Sequence, residues 1–372
     1  MLQIPFDAEN ILKEFSLNGE ITDCKALNDG HINSTYVISL AEKDNIKTKY
    51  TIQKINTNIF TNPDELMNNI VGVTSHIRRI LENSGKDPKR GTLSFLQCSS
   101  GKYYFKDSDG SCWRMYEFVD DVYICNTIDC EDVFENAGRA FGEFQRQLAD
   151  YPMDMLSETI PKFHDTYSRF NDFRQAVKDD KAGRAKEIDK LIDFALERER
   201  DTHVLLDLIE QGKLPIRVTH NDTKLNNILF DKETNEAICI IDLDTVMPGL
   251  SLYDFGDSIR FGANTAAEDE KDISKVSLSI PLYKAYVKGY LSSAKKSLTE
   301  YEIEYLPFSA KLMTYECGIR FLGDYLNGDT YFKTDYPEHN LVRAKTQLAL
   351  VADIEKKMDE MQKITKEALF EL

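Results

Sequence analysis

Apolar residues recur every three or four positions in residues 7–17, where Ile11, Leu12 and Phe15 share a face, and this spacing predicts a short amphipathic helix. Between residues 20 and 56 the period falls to two. EITDCKAL, STYVISL and KYTIQKI read as three strands, joined by polar turns at residues 28–33 and at AEKDNIK. Asn62-Pro63-Asp64-Glu65 is a strong helix start, with a capping side chain, a proline for the first turn and acids near the positive dipole end; the helix should run to about Asn83. TLSFLQ, KYYFK and CWRMYEFV then predict strands that complete a five-stranded sheet, with turns at residues 99–101 and 107–110. From Glu131 the period returns to 3.6. Phe134, Ala137, Phe141, Phe144 and Leu148 stripe one helix, and Ile188, Leu191, Ala195 and Leu196 mark others within residues 162–211. Residues 217–249 hold two short apolar runs around the polar turn DKETNE, the pattern of a β-hairpin. Beyond them the chain is helical again: one helix starts at Ser279-Ile280-Pro281, and Thr299 and Glu302 have capping-box spacing for the next, which Pro307 should kink or reset. The last helix repeats Leu341, Ala344, Leu348, Val351, Ile354, Met358 and Met361, a near-heptad stripe expected to dock on its own lobe rather than to form a dimer seam.

A length of 372 residues suffices for two lobes, and 42% hydrophobic with 29% charged residues is ordinary for a globular chain. The formal net charge of −17 changes the picture more. Nucleic acid and anionic membrane surfaces would be repelled, so neither is expected as a partner, whereas a cationic small molecule would be mildly favoured. Seven cysteines (24, 98, 112, 125, 130, 239 and 317) form no C-x-x-C pair and no metal set, which suits free thiols in a reducing cytosol. No apolar run approaches membrane-spanning length and no signal-like core follows the N-terminus, so a cytoplasmic location is expected.

The chemistry concentrates in the hairpin segment. His220, Asp222 and Asn227 form H-x-D-x-x-x-x-N just before one apolar run, and Asp242 ends the other, so three oxygen ligands converge at one end of the hairpin. Phosphoryl transfer asks for this set: one carboxylate to orient and deprotonate a hydroxyl, and hard oxygen ligands to hold Mg²⁺ against the phosphates of ATP, the co-substrate. Asp222 takes the first role, and Asn227 and Asp242 the second. Asp254-Phe255-Gly256 spells the metal-binding D-F-G of protein kinases, yet it follows no apolar strand and lies past Pro248 and Gly249. Asp254 or Asp257 is therefore expected to cap a helix or to brace the catalytic loop, and Asp244 remains a neighbour without an assigned role.

These motifs resemble the aminoglycoside phosphotransferase and choline kinase family, and HNDTKLNNILFD, CIIDLDTVMPG and YDFGDSIRFGAN are most similar to N-acetylhexosamine 1-kinases. The resemblance implies an α+β, protein-kinase-like fold of two lobes: residues 1–118 as a small antiparallel nucleotide-binding lobe, and residues 119–372 as a larger helical lobe for catalysis and substrate. It implies that Gly30 brings backbone N–H groups to the phosphates, that Lys54 holds them from the third strand, and that the backbone from Glu117 to Val119 meets the adenine. Protein kinases carry a glutamate that pairs with that lysine, but here Glu65 is early and the later candidates are Asn68, Asn69 and His76. His31, Asn33 and Arg320 would join Asp222 in binding the acceptor, a set that suits a hexosamine better than a quaternary amine. Arg320 and Asp324 stand one helical turn apart, either as an internal salt bridge or as sugar contacts. The implied reaction phosphorylates the anomeric hydroxyl of N-acetylglucosamine or N-acetylgalactosamine, in a monomer. A kinase of choline, ethanolamine, another sugar or an aminoglycoside stays open, as does a catalytically inactive binding protein.

Overall fold

Alternation in the N-terminal strands decides which side chains face which way, and that in turn decides what meets the catalytic segment. The computed structural model describes residues 4–27, 32–41, 47–126, 128 and 130–371. After helix α1 (Ala8–Glu14), strands β1 (Glu20–Leu27), β2 (Ser34–Ala41), β3 (Lys47–Ile55), β4 (Phe105–Lys106) and β5 (Cys112–Glu117) form an antiparallel sheet of order β1-β2-β3-β5-β4. Ile52 lies opposite Met115, and Lys54 opposite Trp113. Ile38, Leu40, Ile52, Trp113 and Met115 cluster with Ile11, Leu12 and Phe15 of α1. The other face carries Ile55 and Cys112, which pack with Leu66, Ile70 and Val73 of α2 (Pro63–Asn83).

Two strand expectations shrink. KYYFK contributes only β4, and TLSFLQ forms no strand but a bridge between Phe95 and Tyr116. The reason is that both compete for one edge of β5: β4 pairs with Cys112 and Trp113, while Leu96 N–H donates to Met115 O (2.9 Å) and Glu117 N–H to Ser94 O (3.0 Å).

The one-turn helix α3 (Pro88–Gly91) and strand β6 (Val122–Tyr123) lead to α4 (Glu131–Gln147), α5 (Thr166–Asp179), α6 (Asp189–Leu196) and α7 (Asp201–Glu210). The catalytic segment follows as β7 (Arg217–Thr219), β8 (Ile228–Asp231), β9 (Ala237–Ile240) and β10 (Met247–Gly249). Helices α8 (Ser251–Gly262), α9 (Ile280–Ala294), α10 (Glu300–Asn327) and α11 (His339–Glu371) complete the chain. The hairpin β8–β9 forms as its pattern predicts, with β6 added beside β8. Pro307 does not end its helix: α10 runs through it, started by a capping box at Thr299 and Glu302. The apolar stripe of α11 turns inward, with Leu348, Val351, Ile354 and Met361 buried in the core of its own lobe. Among the described residues no helix is long and apolar enough to cross a membrane. Helices α4 and α9 touch backbone to backbone, because a Cβ on Gly289 would stand 1.9 Å from Glu135 O. Glycine's missing side chain permits that approach.

One ion pair ties the catalytic segment to this helical frame. Arg217 at the start of β7 donates through Nε (2.5 Å) and NH2 (2.8 Å) to both oxygens of Glu302, which also accepts from Ser251 Oγ (2.6 Å) at the start of α8. Burial alone would raise the Glu302 pKa, but the Arg217 bonds outweigh it and hold the carboxyl below its ordinary value. A lowered folded-state pKa contributes stability that is complete above the ordinary glutamate value and disappears as pH falls through the folded one. Glu302→Gln should therefore cost about 2 kcal/mol at neutral pH. It should also remove part of the acid-side loss of stability seen below the ordinary value of 4.5. Chemical denaturation at several pH values checks both; equal losses at neutral and acid pH would contradict the assignment.

Candidate active site

Strand β10 pairs with β7 (Met247 opposite Thr219), and the β8–β9 hairpin lies between them in sequence, so Asp222, Asn227, Asp242 and Asp244 all leave strand ends in one neighbourhood. The loop after β7 turns sharply. Asn221 has φ +63°, a left-handed conformation that a non-glycine residue holds only when its surroundings fix it. Here the fixing group is Asp254 of α8, 1% exposed, whose Oδ2 accepts the His220 N–H (2.9 Å) and whose Oδ1 accepts the Asn221 N–H (2.7 Å). Gln145 of α4 donates to the same Oδ2 (3.0 Å). Asp257, one turn on, accepts the Thr223 N–H (3.2 Å), and Thr223 Oγ1 donates to Asp254 O (2.5 Å). The D-F-G aspartate thus braces the loop from the first turn of α8.

His220 joins the two halves of the site. Its Nδ1 accepts the Asp222 N–H (3.3 Å), which assigns the proton to Nε2, and Nε2 donates to Ile241 O (2.9 Å), the residue before Asp242. The ring is fully buried, edge-on to Phe141 and Phe144. Behind the loop, His164 contacts Asn221 O through Nε2 (3.2 Å) and Glu316 through Nδ1 (2.8 Å).

Asp222 itself is partly open. Its Oδ1 meets Lys224 Nζ at 3.0 Å, and Asn227 Nδ2 donates to its backbone O (2.8 Å) and, more distantly, to Oδ2 (3.4 Å). Asp222 and then Asp257 raise the pKa of Lys224 despite its partial burial, so this lysine stays charged beside the base. Lys224 was absent from the sequence-based set; its signal was the D-x-K step in HNDTK. Asn227 Oδ1 makes no hydrogen bond among the described residues.

Asp242 is also left-handed (φ 58°, ψ 55°) and opens onto the cleft. Crowding by protein, then repulsion from Asp244 and Asp222, push its pKa up to about 6 against the opposing pull of Arg114. Because the residue is open to solvent, the like-charge repulsion is the more durable of these causes. Asp244 is buried and pairs with the N-terminal lobe: Arg114 NH2 stands 2.5 Å from Oδ1, and Asn33 Nδ2 donates to Oδ2 (2.5 Å).

The Asp242 carboxylate, crowded by two others and without an ion-pair partner among the described residues, forms with the free amide oxygen of Asn227 a donor set for a hard divalent cation. Among the described residues no three His, Cys, Asp or Glu side chains could hold a metal by themselves. Phosphate oxygens would have to complete the shell, which is how Mg²⁺ usually sits in nucleotide sites.

The other expected site residues fall as follows. Gly30 and His31 lie outside the described residues. Asn33 sits at the lobe junction with its amide engaged on both sides, donating to Asp244 and accepting the Asn56 N–H (2.9 Å). Lys54 is not brought to the carboxylates. It is exposed on the α1 side of the sheet, its Nζ 5.9 Å from the Trp113 ring, because the β3–β5 register places Gln53 and Arg114 on the cleft side. Glu117 ends β5 with its N–H taken by Ser94, while neither backbone group of Val119 has a partner among the described residues. Arg320 and Asp324 do not pair. The Asp324 carboxylate instead receives the N–H groups of Thr330, Tyr331 and Phe332 and the Asn340 amide. Arg320 lies between Phe163 and Phe332, 5.9 and 5.6 Å from their ring centres, lining a cavity of about 190 Å³ that none of the catalytic-segment carboxylates reaches.

Asp254→Asn would replace one acceptor oxygen with a donor facing N–H groups. It should cost about 1–3 kcal/mol and lower the exchange protection of the His220 and Asn221 amides. Hydrogen exchange read by mass spectrometry tests this, and unchanged protection of that loop would contradict the bracing role.

Comparison with solved structures gives the same architecture throughout. An amicoumacin kinase in complex with AMP-PNP and Ca²⁺ superposes with a TM-score of 0.58 at 14% identity, over 95% of this chain and 94% of that one. A microcompartment-associated aminopropanol kinase gives 0.55 at 14% identity (95% and 98%), and an ethanolamine kinase of Plasmodium vivax gives 0.52 at 17% (87% and 82%). At such identities the likeness is one of fold, a two-lobed kinase-like α+β fold. Residues 103–296, just over half of the 372, match the profile of the phosphotransferase enzyme family, and the chain belongs to that family.

Proposed function

We propose that this protein transfers the γ-phosphoryl group of ATP to the anomeric hydroxyl of N-acetylglucosamine or N-acetylgalactosamine. The carrying observation is Asp222, held by its backbone in a braced loop with Oδ1 occupied by Lys224 and Oδ2 nearly free. Oδ2 is then the atom that takes the proton of the attacking hydroxyl, while Lys224 keeps the carboxylate oriented and charged. Asn227 holds Asp222 from its backbone and offers Oδ1, with Asp242, to a divalent cation. When bound, Mg²⁺ supplies charge neutralisation of the phosphates. The amicoumacin kinase complex with AMP-PNP and Ca²⁺ is consistent with a nucleotide and a divalent ion in this fold.

The sequence blocks around Asp222, Asp242 and Asp254 resemble hexosamine kinases, which favours a sugar over an amino alcohol. Docking of the α11 stripe on its own lobe supports a monomer.

Acceptors supplied with ATP and Mg²⁺ and followed by ADP release test the substrate; higher kcat/KM for choline, ethanolamine or an aminoglycoside than for either N-acetylhexosamine would overturn the sugar reading. Asp222→Asn should lower kcat by roughly 10²–10⁴-fold. Nucleotide affinity, measured by calorimetry, should barely change, and a near-normal rate would remove Asp222 from the role of base.

A further inference from the structure

Lys54 points away from the carboxylates, which leaves open what cation the N-terminal lobe presents to a nucleotide. On the cleft face of the sheet Thr35, Gln53 and Arg114 lie side by side in neighbouring strands. Gln53 Nε2 donates to Thr35 Oγ1 (3.0 Å), and Arg114 Nε donates to Gln53 Oε1 (2.9 Å). The guanidinium is 2% exposed, stacked 5.8 Å from the centre of the Phe95 ring, and its NH2 reaches Asp244. Its NH1 faces only the Met67 sulfur of α2 at 3.9 Å, a weak acceptor, so donor capacity on a buried cation is unspent.

The helix that supplies the lysine's partner in protein kinases offers none here. Asn69 of α2 spends its amide on Ser157 O (2.7 Å) and Val246 O (2.9 Å) and accepts the Ser157 N–H (2.9 Å). The carboxylate that meets Arg114 comes instead from the loop two residues after Asp242, across the lobe boundary. A buried ion pair of this kind is a poor source of stability, since desolvation offsets most of the attraction. Its planar fork is, however, well shaped for phosphate oxygens.

We propose that Arg114 is the cation by which the N-terminal lobe binds the phosphates of the nucleotide, with Asp244 holding it in place and competing with those phosphates for it. The inference rests on the ATP-using function above. Arg114 acts on the nucleotide directly, and Gln53 acts as a positioning residue through Arg114.

Calorimetry on the full chain with adenosine and with ATP, the latter with Mg²⁺ and with EDTA, separates the possibilities. Arg114→Gln should weaken Mg-ATP binding by roughly 10–100-fold. Adenosine affinity should be unchanged, Arg114→Lys should restore part of the loss, and Lys54→Gln should stay within about threefold of wild type. Asp244→Asn removes the competitor, so metal-free ATP should bind more tightly; this arm stands even where Arg114→Gln fails to fold. Wild-type ATP affinity in Arg114→Gln, a large loss in Lys54→Gln, or weaker metal-free binding in Asp244→Asn would each overturn the proposal. Failure of the wild-type chain to bind ATP at all would overturn the ATP reading beneath it.

Discussion

Two adjacent backbone amides, those of His220 and Asn221, end on one buried carboxylate. Consecutive N–H groups point the same way only if the chain turns sharply, and the left-handed Asn221 is that turn; such a conformation costs on the order of 1–3 kcal/mol unless something holds it. Asp254 holds it from α8, and Gln145 fixes Asp254 from α4, so the two helices and the loop form one hydrogen-bonded unit. Burial pushes the Asp254 pKa upward, and the hydrogen bonds it accepts from His220 N–H, Asn221 N–H and Gln145 offset part of that rise. The backbone position of Asp222 follows from this arrangement, and Lys224 then orients its carboxylate.

The two lobes meet differently. Within the C-terminal lobe the catalytic loop is braced mainly by backbone N–H groups on buried carboxylates of α8, whereas across the boundary Asp244 takes a side-chain cation, Arg114, and an amide, Asn33. Backbone bonds fix geometry with little dependence on what else is present. An ion pair facing a cluster of carboxylates responds to any added charge.

Local pattern made much of this legible. The β8–β9 hairpin, the convergence of Asp222, Asn227 and Asp242, the capped start of α2 and the bracing aspartate all depend on residues close together in the chain, where periodicity and turn chemistry act. What the sequence hid depends on long-range register. A shift of one residue in strand pairing inverts every side chain, so whether Lys54 or Gln53 faced the cleft was settled only by pairing with β5, sixty residues on. Arg114 lies among apolar residues in CWRMYEFV, and nothing local marks it as a partner of Asp244. Arg320 and Asp324 had the spacing of a pair, but the turn after α10, with Gly328 at φ 95°, brings residues 330–332 back onto Asp324 and claims its oxygens first. TLSFLQ and KYYFK each had strand composition, and only the shared edge of β5 limited them.

The His220 ring spans from the Asp222 amide to the Ile241 carbonyl, so the separation between the proposed base and the segment leading from β9 to Asp242 is set by the dimensions of one imidazole. These two carboxylates cannot be moved apart or together to suit a larger or smaller acceptor without breaking that bridge. Adaptation to new acceptors must then proceed through the helical walls around a fixed chemical centre. A fold with that division of labour can diversify its substrates by changing surfaces alone, while the reaction it performs stays the same.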